Sequence, residues 1–252
     1  MAASFGTPED NFRRAADLLE QAAAGEPDVI VLPELWNTGF FPRENLYETA
    51  DDYASRTRTL CAIFSAEKNV NVLAGSVTER RSNRLFNACY AFDRTGNTVG
   101  RYDKTHLFSV MGENRWFTPG DHLGLFQFDG VNCGIEICYD VRFPELTRAM
   151  AVKGLDVLFL VAQWPAQRLE HLHILANARA IENQCFVCVC NGCGEAPGIS
   201  FGGGSCVFSP TGKTLAIADG NECMLDAEID LSGLPLLRER FNVFGDRRTD
   251  IY

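Results

Sequence analysis

Five short, largely apolar runs, at residues 29–32, 70–77, 133–138, 157–162 and 186–190, are separated by longer stretches with helical periodicity. Each run has the length of a strand buried on both faces, and alternation with helices confines the chain to a sheet layered by helices. Thr7-Pro8-Glu9-Asp10 reads as a helix start, with a capping hydroxyl, Pro at the first helical position and acids in the first turn. Phe12, Ala15, Ala16, Leu19, Ala22 and Ala23 then follow at helical spacing. Further helices are expected over about 48–67, from about Pro144, and over 168–183. Strands 86–92 and 98–102 flank the turn Asp93-Arg94-Thr95-Gly96-Asn97, and 205–208 and 214–217 flank Ser209-Pro210-Thr211-Gly212. Residues 123–128 and 133–138 read as two more strands around Asp129-Gly130, and 224–229 reads as a last strand. So many short strands exceed one comfortable open sheet, so two sheets face to face, with helices outside both, are expected. With no internal repeat and no low-complexity linker, residues 1–252 are expected to form a single domain.

The net charge of −10 argues against nucleic acid or an anionic membrane as the main partner. The chain shows no signal peptide and no apolar run long enough to span a bilayer, so a cytoplasmic location is expected. Ten cysteines fall mostly in strand-like runs, where a reduced thiol behaves as a small hydrophobe. The cluster Cys188-Val-Cys190-Asn-Gly-Cys193 invites a zinc reading, but no second ligand cluster accompanies it, and strand alternation explains Cys188 and Cys190 equally well. No metal is expected.

Three residues stand where chemistry is served. Cys138 ends an apolar run and precedes a helix opening at Pro144-Glu145, a strand-to-helix turn whose free N–H groups lower a thiol pKa and hold an oxyanion. Glu34 follows Val-Ile-Val-Leu-Pro directly, as a strand-end carboxylate suited to act as a base. Lys104 lies between Tyr102 and Leu107-Phe108, where partial burial would demand an anionic partner. Alone, each has an ordinary reading: a packed thiol, a surface acid, a snorkelling lysine. Together, at one sheet edge, they make a coherent site. The carboxylate takes the thiol proton and the thiolate attacks an amide carbon. The ammonium and the Tyr139 N–H hold the oxyanion, ammonia leaves, and water opens the thioester.

Pro33-Glu34-Leu35-Trp36, Tyr102-Asp103-Lys104-Thr105-His106-Leu107-Phe108 and Ile137-Cys138-Tyr139-Asp140-Val141-Arg142-Phe143-Pro144-Glu145-Leu146 resemble the three signature blocks of the nitrilase superfamily, in order and spacing. The likeness extends over nearly the whole chain, to the ending Asp246-Arg247-Arg248…Tyr252. It implies a four-layer αββα sandwich, no cofactor, and a Glu34–Lys104–Cys138 triad. It also implies a second active-site glutamate, Glu113, ahead of Phe117-Thr118-Pro119-Gly120-Asp121, which could orient Lys104 and the incoming water. Family members usually assemble as homodimers or larger oligomers.

Tyr139-Asp140 after the nucleophile favours amides over nitriles, because nitrile hydrolysers of this family usually carry Trp-Glu there. Ala162-Gln163-Trp164-Pro165 and Ala178-Arg179-Ala180-Ile181-Glu182-Asn183-Gln184 resemble the bacterial omega-amidase branch, which implies 2-oxoglutaramate or 2-oxosuccinamate as substrate. Such an acid needs a cation in its pocket: Arg142 and Arg179 are candidates, equally readable as structural salt-bridge partners. Trp164 and Phe117 are candidate pocket walls, and Tyr139 a further contact. Deaminated glutathione is the near alternative substrate, and a non-catalytic metabolite-binding protein the alternative class. In one respect the chain departs from the family. Members open with a sheet strand just upstream of a stretch like residues 4–12, and here Met1-Ala2-Ala3 stands where that strand should be ending. The expectation is either a sandwich without that strand or a start assigned late.

Overall fold

The computed structural model describes residues 1–40 and 44–251. In chain order its elements are α1 (Pro8–Ala23), β1 (Val29–Val31), α2 (Leu46–Thr49), β2 (Asp51–Asp52), α3 (Ser55–Lys68), β3 (Asn71–Arg81), β4 (Arg84–Phe92) and β5 (Thr98–Asp103). Then come β6 (Gly124–Phe128), β7 (Val131–Ile137), α4 (Pro144–Ala151), β8 (Val157–Ala162), α5 (Leu169–Asn183) and β9 (Phe186–Asn191). The chain closes with β10 (Cys193–Ala196), β11 (Ile199–Gly202), β12 (Cys206–Phe208), β13 (Thr214–Ile217) and α6 (Leu234–Arg240).

One sheet runs β1-β3-β4-β5, with β2 also on β3; the other runs β13-β12-β9-β8-β7-β6. Strand alternation explains how they stack. On β4, Cys89 and Ala91 point into a core shared with Phe126, Ile135 and Leu160 of the second sheet. Ala88, Tyr90 and Phe92 point the other way, onto Ala15 and Leu19 of α1 and Cys61 and Phe64 of α3. On the far side, Leu146 and Met150 of α4 and Leu172, Ala176 and Ala180 of α5 cover β7, β8 and β9. The result is the αββα sandwich. Every residue of β8 is buried, because both its faces are covered. Each buried Val, Leu or Phe there contributes about 1.5–3 kcal/mol.

Three sequence expectations change. The helix expected over 48–67 is broken: Tyr53 and Ala54 take left-handed backbone, and α3 begins only at Ser55. Asp51 explains the new start, since its carboxylate accepts from Arg56 N at 3.1 Å and Thr57 N at 2.9 Å, capping α3 from outside. The Thr7 hydroxyl makes no cap bond to α1 and instead donates to Ser4 O. Residues 224–229 pair with no ladder and form no strand. At the amino end, Ala2 makes a single parallel bridge with Cys193.

The parallel core β7-α4-β8-α5-β9 and the ends of β1 and β5 bring the strand termini of both sheets to one edge. A bulge in β3 completes the approach. Gly75 sits at φ +65°, and a Cβ there would lie 2.2 Å from Pro33 O, so only glycine allows the contact. Beyond it Ser76 N donates to Pro33 O at 3.0 Å, and Leu35 N donates to Ser76 Oγ at 3.1 Å. This clamps the backbone on both sides of Glu34.

Candidate active site

Glu34 leaves β1, crosses from the first sheet to the second, and is fully buried. Its Oε1 accepts from Lys104 Nζ at 2.8 Å and Asn87 Nδ2 at 2.9 Å, and its Oε2 accepts from the Gln163 N–H at 2.8 Å. Gln163 directly follows β8, so one carboxylate ties the ends of both sheets together. Lys104 follows β5 and is equally buried. Besides Glu34, its ammonium donates to both oxygens of Glu113, each at 3.0 Å. Glu113 opens a short 3-10 turn after left-handed Gly112, and its Oε2 also accepts from Phe108 N at 2.6 Å. Asn87 bridges the two glutamates, with Nδ2 3.2 Å from Glu113 Oε1, and its carbonyl accepts from Lys104 N. Gly120 allows this loop to close: a Cβ there would lie 2.0 Å from Asp103 O.

Cys138 caps the end of β7 with φ +51°, a conformation costly for a side-chain-bearing residue and held only where the surroundings fix it. Asp140 supplies that fixation. Its Oδ2 accepts from Ile137 N at 3.0 Å and Tyr102 OH at 2.8 Å, and its Oδ1 accepts from His106 N at 2.9 Å. The turn at Cys138 is thereby bolted to the loop that carries Lys104. Because Cys138 opens a 3-10 turn, the N–H of Tyr139 precedes the first amide that the turn can bond. It is available for a developing oxyanion.

The electrostatics follow from burial. Desolvation is the largest influence on the Cys138 thiol and pushes it well above its usual range; Glu34, by charge and by hydrogen bond, pushes the same way against Lys104. The resting sulfur is therefore protonated, with its proton held toward Glu34. Burial pulls Lys104 down, but Glu113 and then Glu34 together pull harder the other way, and the ammonium is held well above its ordinary value. This arrangement can pass a proton from sulfur to carboxylate during attack while a fixed cation faces the incoming carbonyl oxygen.

Cys138, Lys104 and Glu113 open together into one narrow cleft. Tyr139, Arg142 and Trp164 line it, as does Arg168, which the sequence did not single out. Arg142 lies with Cζ 5.0 Å from the centre of the Trp164 ring. A wider depression between α1 and α3 has only one charged group, Arg56, already paired with Glu9.

Two residues named from sequence lie elsewhere. Phe117 packs with Leu35, Phe40, Leu46, Leu85 and Phe201 in a small separate core and is not a wall of the cleft. Arg179 is buried beneath the turn that follows Cys138. Its Nε and Nη2 donate to Val141 O at 3.0 and 2.8 Å, its Nη1 pairs with Glu182 at 2.7 Å, and it does not line the cleft. Asn87 and Gln163, which hold Glu34, were not among the expected site residues, although each is a lone amide in or at the end of an apolar strand, as Glu34 is a lone acid. Among the described residues, no group of three or more His, Cys, Asp or Glu is placed to hold a metal ion.

The family model described as carbon-nitrogen hydrolase matches residues 2–239. The chain is 40% identical to the 2-oxoglutaramate amidase of Bacillus subtilis, over 99% of this chain and 95% of that protein. It is 36% identical to the 2-oxoglutaramate amidase of Paenarthrobacter nicotinovorans, over 97% of this chain and 85% of that protein. Among solved structures, the carbon-nitrogen hydrolase of Helicobacter pylori superposes with a TM-score of 0.92 at 25% identity, covering 99% of this chain and 94% of that one.

Proposed function

This chain belongs to the carbon-nitrogen hydrolase family, and we propose that it removes the terminal amide of a small 2-oxo dicarboxylic acid monoamide such as 2-oxoglutaramate. That it hydrolyses amide bonds follows from the family and from relatives named for that activity. In the proposed mechanism, Glu34 accepts the Cys138 proton as the sulfur attacks the amide carbon. Lys104 and the Tyr139 N–H hold the oxyanion. The proton passes to the departing nitrogen, ammonia leaves, and the acyl group remains on sulfur as a thioester. Glu34 then takes a proton from water, and hydroxide attack releases the carboxylate product and restores the thiol. Glu113 holds the third face of the Lys104 ammonium and keeps it aimed at the oxyanion.

The observation that supports an acidic substrate is Arg142. Its guanidinium lies over Trp164 in the same cleft as Cys138, and among the described residues it has no carboxylate partner. A substrate carboxylate would supply one. The test is ammonia release from 2-oxoglutaramate, 2-oxosuccinamate, deaminated glutathione, neutral amides and nitriles, by the parental protein and by Cys138→Ala. We expect the highest kcat/KM on a 2-oxo acid amide and none in the variant. Preference for deaminated glutathione would move the reading to that substrate; turnover retained by Cys138→Ala would defeat the mechanism.

The same reading includes a cytoplasmic protein that pairs with itself. Half-open apolar side chains on α5, Ile174 and Ile181, support self-association, and no helix among the described residues is long and apolar enough to cross a membrane.

A further inference from the structure

At formal charges, the floor of the cleft is negative, since the one ammonium of Lys104 stands against two carboxylates, Glu34 and Glu113. An anionic substrate meets that charge as it approaches Cys138. Arg142 cancels it and no more. The cleft becomes attractive to an anion only with a further cation, and Arg179, spent on Val141 O and Glu182, cannot provide it.

Arg168 can. It lies in the short turn between β8 and α5, and its guanidinium opens onto the cleft with Cζ 5.5 Å from the centre of the Phe108 ring. Among the described residues no carboxylate lies within ion-pair distance of it. Two bonds fix where it stands. Its carbonyl accepts from Trp164 Nε1 at 2.7 Å, so the ring under Arg142 also anchors the backbone of Arg168. Phe108, its platform, donates its N–H to Glu113 and packs 4.9 Å from Tyr139, so the platform is tied to both sides of the reacting centre. An aromatic face beneath a guanidinium leaves its edge N–H groups free to grip an oxyanion in the plane.

We propose that Arg168 is a specificity-determining residue which, propped on Phe108 and working with Arg142, binds the substrate's carboxylate remote from the scissile amide. This deepens the 2-oxo acid amide reading and rests on it. Two guanidiniums suit a carboxylate flanked by a 2-oxo group, which offers three acceptor oxygens to their several donors.

The experiment measures kcat/KM for 2-oxoglutaramate and for butyramide, a neutral amide without the acid, in the parental protein, Arg168→Gln and Arg168→Met. Methionine keeps an apolar stem on Phe108 and loses the charge, so it carries the test if glutamine disturbs the fold. The ratio of the two constants is expected to fall about 10- to 100-fold in both variants, mainly through KM for the acid, as for loss of a charge-assisted bond. In a Cys138→Ala background, calorimetric affinity for 2-oxoglutarate should fall by the same factor. A ratio and an affinity within about twofold of parental would overturn the role of Arg168 and leave the proposed function standing. Parental preference for butyramide would overturn both.

Discussion

Replacing Lys104 by methionine tests whether the buried charges depend on one another. The ammonium is 2% exposed and stands 2.8 Å from Glu34 and 3.0 Å from Glu113, which are themselves no more than 1% exposed. At an effective dielectric of roughly 20, each contact near 3 Å carries about 5 kcal/mol of attraction. Desolvation of the three groups takes back much of that, so the pair adds little net stability while intact. Deletion is another matter, because methionine strands two carboxylates together in the interior, and the expected loss at pH 7 is about 3–5 kcal/mol. Acid should relieve it, since carboxylates buried without a cation take up protons more readily. Unfolding in urea, followed through buried Trp36 and Trp164, should show the gap between parental protein and Lys104→Met narrowing from pH 7 to pH 5. The triple variant Lys104→Met, Glu34→Gln, Glu113→Gln should recover most of the loss. If Lys104→Met were as stable as the parental protein at pH 7, or if its deficit did not change with pH, the coupled-charge reasoning would be wrong.

Two further predictions concern groups behind the nucleophile. Glu136 is fully buried with one carboxylate oxygen unpartnered, and its pKa is raised to about 8, by burial first, with the Thr147 hydrogen bond opposing and Asp140 adding. The unfolded carboxyl titrates near 4.5, so the folded protein holds the extra proton between the two values. Its stabilising share is present below that lower value and is lost as pH climbs toward 8. Glu136→Gln should therefore match the parental urea midpoint near pH 4.5 and exceed it at pH 8, by up to roughly 5 kcal/mol as an upper bound. Equal midpoints at both pH values would count against it. Asp140→Asn places an amide N–H₂ against donors from Ile137, Tyr102 and His106; kcat should fall about 10-fold or more, with a stability loss of about 1–3 kcal/mol by thermal melting. Parental kcat in that variant would mean that the nucleophile turn is held by other contacts.

Much of this architecture is legible in the chain because the physics is local. β1, β7, β8 and β9 announce themselves as apolar runs, and Glu34 and Cys138 stand out because each ends one. Local signals fail where a distant group decides. Residues 48–67 carry helical periodicity, yet the Asp51 carboxylate, reaching forward to Arg56 and Thr57, starts the helix at Ser55. Residues 224–229 have the composition of a strand but meet no partner edge. The arginines show the limit most clearly. Arg168 and Arg179 are alike as sequence, but eleven residues of helix separate them by about 16 Å. That distance leaves one at the cleft and the other beneath the nucleophile turn. Likewise, the shared role of Asn87 and Gln163 exists only once both sheets bring them to Glu34.

The central claim is that the Cys138 sulfur carries the acyl group while Glu34 and Lys104 serve it. Its most direct test is acid quenching during turnover of 2-oxoglutaramate, followed by peptide mass mapping. One added acyl mass is expected, on the peptide bearing Cys138, that disappears as substrate is exhausted. Acylation of a different residue, or steady ammonia release with no acylated peptide and undiminished in Cys138→Ala, would contradict it.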